Sequence, residues 1–208
     1  DIVERNNIRN VSFLNTLLRY FADTIGKLSS LNNISKFMKS QGLDVSVKSI
    51  AAYLNYFRDA YLLLTVDRFD IHGKKLLESN EKIYFGDVGL RNLIAGGERQ
   101  GDIEKILENI VYQQLVRMGY AVSVGQLRAG EVDFVCTKSN ERLYVQVAYL
   151  IASEETEERE FGSLDNIKDN YPKYVISMTP LVRRSDRQGV VHLGLREFLK
   201  NGFEKKLP

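Results

Sequence analysis

A single cysteine, Cys136, rules out an internal disulfide. Histidine is nearly as scarce: His72 and His192 stand far apart, so the usual Cys/His ligand set of a zinc site is missing. Both shortages suit a reducing cytoplasm, which is the expected compartment. No apolar run approaches the roughly 18 residues of a membrane-spanning helix, so no membrane partner is expected. The phosphate-cradling pattern GxxxxGK[ST] is absent, and Gly96-Gly97 is not followed by Lys-Ser or Lys-Thr. Charge of one sign is lacking too. The net charge is +2, with 13 Lys+Arg against 10 Asp+Glu in residues 1–95 and 16 against 17 in residues 96–208. No global field draws this chain to nucleic acid, so such a partner would have to be met by a local patch. The chain starts at Asp1, without a signal-peptide pattern, and is expected to be a piece of something longer.

What remains is 208 residues with 44% hydrophobic and 27% charged content, the composition of globular protein. The length suits two domains of about 100 residues each. The expected boundary falls at Ala95, giving residues 1–95 and 96–208. In the first half, Ile8, Val11, Leu14, Leu18, Phe21 and Ile25 recur at helical spacing, with Gly26 as a stop. A second helix is expected to follow Asn32-Asn33 and end near Gly42, and a third to begin after Ser46 and run through Phe57. Leu62–Asp70 and Lys82–Phe85 read as strands joined by a turn at His72-Gly73-Lys74-Lys75. Three helices followed by a hairpin make a winged-helix-like domain. Such a domain would present Lys48, Ser49, Asn55 and Arg58 to the DNA major groove and Lys74 and Lys75 on its wing. The alternative is a packing module, because Ala51, Ala52, Tyr53 and Tyr56 fill the middle of the third helix with few donors.

In the second half, Asp102–Met118 carries a helical apolar stripe with Glu108 beside it. Strands are expected at Tyr120–Val124, Glu131–Cys136 and Leu143–Tyr149, the last nearly all apolar and so central. A charged helix over Glu154–Asp169, a strand over Tyr174–Met178, a strand over Val190–Leu193 and a closing helix over Leu195–Leu199 complete an αβββαβ core. The chain as a whole is expected to be α+β. The order of elements, with Glu108 on the first helix and Asp133 on the second strand, resembles the PD-(D/E)XK nuclease superfamily over about Glu104–Met178. Restriction-endonuclease-like domains of that superfamily place an acid on the second strand, then acid–x–Lys on the third. Here Asp133 fills the first position, Gln146 stands where Glu is usual, and Ala148 stands where Lys is usual. The resemblance implies Mg²⁺ held by Glu108, Asp133 and Gln146. Carboxylates suit this hard cation, which activates a water for phosphodiester attack. It also implies a cation beside that water, for which Lys168 or Arg159 on the following helix are the candidates. Glu131, two residues before Asp133 on the same strand face, is a further candidate ligand.

Four stretches extend the resemblance to nearly the whole chain: Asp1–Arg5, Tyr84–Asn92, Leu107–Asn109 and Asp169–Tyr174. They look like the C-terminal region of bacterial and archaeal AAA-type ATPases. In that family a P-loop module is followed by a winged helix and a domain of unknown function with a nuclease-like fold. The resemblance implies an N-terminal ATPase module as partner, with ATP bound only there. Three outcomes stay open: a degenerate nuclease-like domain that binds nucleic acid or a partner, an active Mg²⁺-dependent DNA nuclease, and a purely protein-interacting module.

Overall fold

The structure is a computed structural model that describes residues 2–97, 100–128, 130–180 and 184–204, with the side chains of 78, 79, 184 and 185 left aside. The chain folds as two compact units. The first holds residues 1–66 and 78–102, and the second holds 67–77 and 103–208.

The first unit begins with the short helix α1 (Ile2–Arg5), followed by α2 (Val11–Asp23), β1 (Leu28–Ser29), α3 (Leu31–Ser40) and α4 (Val47–Asp59). Each longer helix starts on a side chain that accepts from an orphan backbone N–H: Asn10 from Phe13, Ser30 from Asn33, Ser46 from Ser49. The cap at Ser30 places Asn32-Asn33 inside α3 rather than ahead of it. Strands β2 (Leu63–Asp70) and β3 (Lys75–Phe85) follow, and β1 pairs antiparallel with β3. The core joins Phe13 to Tyr53 (ring centroids 5.0 Å apart) and Phe21 to Phe57 (6.3 Å). Phe13, Phe21 and Phe57 are almost wholly buried, which stabilises by roughly 1.5–3 kcal/mol for each ring.

The periodicity did not call for α5 (Val88–Ala95), which closes this unit. Asp87 caps it, and Gly96 ends it in the left-handed conformation at φ 84°. Its Arg91 is completely buried, donates through Nε to the Ala22 carbonyl (2.8 Å) and pairs with Asp102 after a 3₁₀ turn. That charged tether explains how a helix of two turns holds its place.

Residues 67–77, the end of β2, the following turn and the start of β3, fold with the second unit. There α6 (Ile103–Arg117) precedes β4 (Ala121–Leu127), β5 (Gly130–Lys138) and β6 (Glu141–Ala148), followed by α7 (Glu154–Asp165) and β7 (Lys173–Ser177). Strands β8 (Arg184–Arg187) and β9 (Val190–Gly194) and helix α8 (Leu195–Asn201) complete the unit. The α+β class is met. The strand order in this unit is β2-β4-β5-β6-β7-β9-β8. β4, β5 and β6 are antiparallel neighbours, while β6, β7 and β9 run parallel. β6 is therefore interior, which explains its apolar run. A core of Val132, Val135, Tyr144, Val175 and Val190 packs against Phe161, Leu164 and Ile167 from α7 and the residues after it. Several of the expected limits differ: β3 begins at Lys75 and not Lys82, β4 runs on to Leu127 and α7 stops at Asp165, while β8 is an additional strand.

Candidate functional site

Asp133 sits on an irregularity of β5. Ser123 faces Val135 and Gly125 faces Val132, so three steps along β5 match two along β4. The extra residue is a β-bulge, a device that re-aims side chains. The ladder between β5 and β6 is recorded from Lys138↔Glu141 up to Phe134↔Val145. Next to it, side chains bridge the two strands. The Asp133 N–H donates to Gln146 Oε1 (3.2 Å), and the Val147 N–H donates to Asp133 Oδ2 (2.9 Å).

Gln146 is turned both ways. Its Nε2 donates to Glu160 Oε2 on α7 (3.0 Å). Glu160 Oε1 in turn accepts two hydrogen bonds from Arg159, from Nε at 2.9 Å and from the terminal nitrogen at 2.7 Å. The chain Asp133–Gln146–Glu160–Arg159 thus runs from a buried strand to a guanidinium whose side chain is 66% exposed. The carboxylate holds the Arg159 guanidinium above its ordinary range, mainly through those hydrogen bonds. Glu108 is buried on α6 and pairs with Lys105 one turn earlier.

Of the expected site, Asp133 and Gln146 are in contact, and Arg159 reaches Gln146 through Glu160. Glu108 keeps its place on α6. Lys168 is not on α7 at all. It follows the helix end, donates to the Asp165 carbonyl (3.0 Å) and lines a separate cleft of about 530 Å³ with Asp169 and Lys173. None of Glu108, Asp133 and Gln146 lines that cleft. Glu160 was missed as a site residue. The signal lay in its spacing, because positions 157, 160, 161 and 164 share one helical face, and Phe161 and Leu164 are core residues.

A hard divalent cation draws its affinity from charged oxygen ligands. Gln146 supplies none, its carbonyl oxygen already accepts from Asp133, and Ala148 offers no cation. Among the described residues, no group of three or more His, Cys, Asp or Glu side chains could hold a metal ion. The residues present do not fit a Mg²⁺ centre.

Lys48, Asn55 and Arg58 are exposed on α4 of the first unit, and Ser49 is half-buried there, its amide engaged by the cap. Lys74 and Lys75 are exposed in the segment that belongs to the second unit. A second buried polar pair joins the last residue of β7 to the middle of β9, where Ser177 Oγ stands 2.8 Å from His192 Nε2. Burial pushes the His192 imidazole below its ordinary range, against a weaker upward pull from Glu157.

Residues 1–101 match the model of a domain of unknown function, DUF8612. The DUF8612 match ends almost where the first unit ends, at residue 102. An uncharacterized protein of Haemophilus influenzae is 37% identical over 177 residues, 85% of this chain and 43% of that protein. The uncharacterized protein MJ1544 of Methanocaldococcus jannaschii is 31% identical over 175 residues, 81% of this chain and 38% of that protein. Alignments of that length exceed either unit, so the kinship covers both. The part of this chain that matches spans less than half the length of these relatives. Among solved structures, protein VC1899 from Vibrio cholerae aligns over 93% of this chain and 50% of its own, with 13% identity and a TM-score of 0.31. Among the described residues no helix is long and apolar enough to cross a membrane.

Proposed function

We propose that this chain is the C-terminal part of a cytoplasmic AAA-type ATPase, in which a winged-helix-like unit and a degenerate PD-(D/E)XK-like unit bind nucleic acid without cutting it. The observation that carries the reading is the closed network at Asp133. Gln146 satisfies both the Asp133 amide and the Glu160 carboxylate, and Arg159 supplies the positive charge that balances Glu160. With Glu160 engaged by Arg159 and Glu108 by Lys105, two of the buried acids already have cationic partners of their own and less call on a metal ion. The order helix, short strand, helix, helix, strand, strand in the first unit supports the winged-helix-like assignment. Likewise α6-β4-β5-β6-α7-β7 supports the nuclease-like one. The greater length of the relatives leaves room for an ATPase module, which would carry the ATP.

DNA contact would fall to Lys48, Asn55 and Arg58 on α4, with Lys74 and Lys75 as further phosphate contacts. Gel shifts on single- and double-stranded DNA at several salt concentrations test this. Binding should weaken linearly in log–log form as salt rises. Lys48→Ala and Arg58→Ala should each weaken binding and lower the salt slope by about one. Affinity no tighter than ~10⁻⁴ M at physiological salt would sink the DNA reading and leave protein interaction.

A second reading, Mg²⁺-dependent hydrolysis, is favoured by one fact: Glu108, Asp133 and Glu160 are all buried acids. It requires Gln146 to release Glu160. Titration with Mn²⁺ and a DNA cleavage assay decide between the two. We expect no stoichiometric binding and no cleavage. Cleavage that Asp133→Ala abolishes would establish the second reading instead.

A further inference from the structure

The second unit carries a cleft of about 630 Å³ at the far end of β5 from Asp133. Lys138, the last residue of β5, lies five residues beyond Asp133, or about 17 Å at the usual rise of a strand. The cleft therefore owes nothing to the network described above. Its volume falls within the ~300–1,000 Å³ of ordinary small-ligand sites.

Its walls are aromatic. Phe203 stacks at 4.3 Å from Tyr174 and meets Tyr120 edge-on at 6.1 Å. Tyr171, whose side is 42% exposed, is the fourth ring. Two cations stand against these rings. The Lys138 ammonium is 5.6 Å from the Tyr120 centroid, and the Arg142 guanidinium is 5.5 Å from that of Tyr171. The Lys138 ammonium spends one of its three hydrogen bonds on the Met118 carbonyl (2.8 Å) and keeps two to give. Two carboxylates, Glu141 and Glu204, and two amides, Asn140 and Asn201, complete the polar lining.

This composition selects a ligand chemistry. The two acids cancel the two cations, which disfavours a polyanion laid along the cleft. Four rings favour a planar heterocycle, since a base stacked on an aromatic side chain gains about 1–3 kcal/mol. Carboxylates and amides accept from ring N–H and amino groups, which a bare sugar phosphate lacks. Arg142 lies between Phe69 and Tyr171, which leaves the Lys138 ammonium as the compact cation that matches a single phosphate. We propose that this cleft binds one nucleotide unit, with its base among Tyr120, Tyr171, Tyr174 and Phe203 and its phosphate on Lys138. The unit comes either as a free mononucleotide or as the end of a single strand.

Calorimetric titration of the full chain tests this with adenosine and guanosine 5′-monophosphates, a five-nucleotide adenylate strand, and ribose 5-phosphate. At least one mononucleotide should bind with Kd below about 1 mM, and ribose 5-phosphate at least tenfold more weakly. Tyr171→Ala and Lys138→Ala, both at exposed positions, should each weaken binding about tenfold or more with Tm unchanged. A strand that binds tenfold tighter than the mononucleotide marks a strand end as the occupant, and equal affinity marks the free nucleotide. The proposal is overturned if neither mononucleotides nor the strand bind below several millimolar. It is equally overturned if ribose 5-phosphate binds as well as the mononucleotides, or if the two variants leave affinity unchanged.

Discussion

Gln146 holds the amide of Asp133 with one end and the carboxylate of Glu160 with the other. Replacing it with leucine leaves both without that partner in a buried place, so Gln146→Leu should cost roughly 2–3 kcal/mol by urea unfolding. Gln146→Glu, which restores the acid usual in nucleases, sets two carboxylates against each other. Like charges at that distance force one of the pair to hold its proton to higher pH. The variant should therefore lose stability at pH 7 and recover part of it near pH 5, where the wild type gains nothing from this pair. If Mn²⁺ stabilises this variant and not the wild type, the missing charge is what bars the metal. A variant as stable at pH 7 as the wild type would contradict the network. His192 provides a second titration. Its folded pKa lies below the ordinary 6.5 because it is buried. The unfolded chain then takes up the proton first, so stability is complete above about pH 6.5 and declines as pH falls toward the folded value. His192→Gln should flatten that acid limb in unfolding curves compared at pH 7.5 and 5.5.

At the level of elements, what sequence made legible was periodicity. Val47–Asp59 and Ile103–Arg117 show their apolar stripes plainly, and Ser46 is a readable cap. β6 announced itself as interior by being apolar on both faces. The failures have physical causes. Glu160 was hidden in the run of charge that opens α7, and only the burial of that face distinguishes it from its solvated neighbours. Lys168 was placed on α7 because Pro172 is the first obvious breaker. The helix stops earlier, with Asn166 capping it and the Ile167 amide returning to the Leu164 carbonyl. α5 is too short for a periodic signal, and its anchor is a buried arginine that sequence would place on the surface. Just ahead of it, Gly86 donates to the Leu62 carbonyl (3.0 Å), and a Cβ there would stand 2.2 Å from the Tyr61 carbonyl oxygen. The obstacle is backbone and has no rotamer to yield, so Gly86→Ala should cost about 2 kcal/mol or more in thermal or urea unfolding. A neutral result would mean the turn at Tyr61 is free to shift.

For the whole molecule, the expected division at Ala95 leaves out an exchange between the units. Residues 67–77 leave the first unit for the second, where Arg68, Phe69 and Asp70 pair in parallel with Val124, Gly125 and Gln126. No local pattern marks this, because β2 reads as one strand from Leu63 to Asp70 whichever unit its ends join. The backbone consequently passes between the units at 66/67, 77/78 and 102/103. One cut cannot part them. A protease site built in after Gly101 would yield two fragments on a denaturing gel. Under native conditions they should still elute as one species, because the first fragment keeps a strand seated beside β4. Separate elution would show that the pairing is too weak to hold. The same threading bears on inheritance. Neither unit can be lifted out or swapped as one contiguous block of gene, so recombination that divides the chain near residue 100 carries a piece of one fold away with the other.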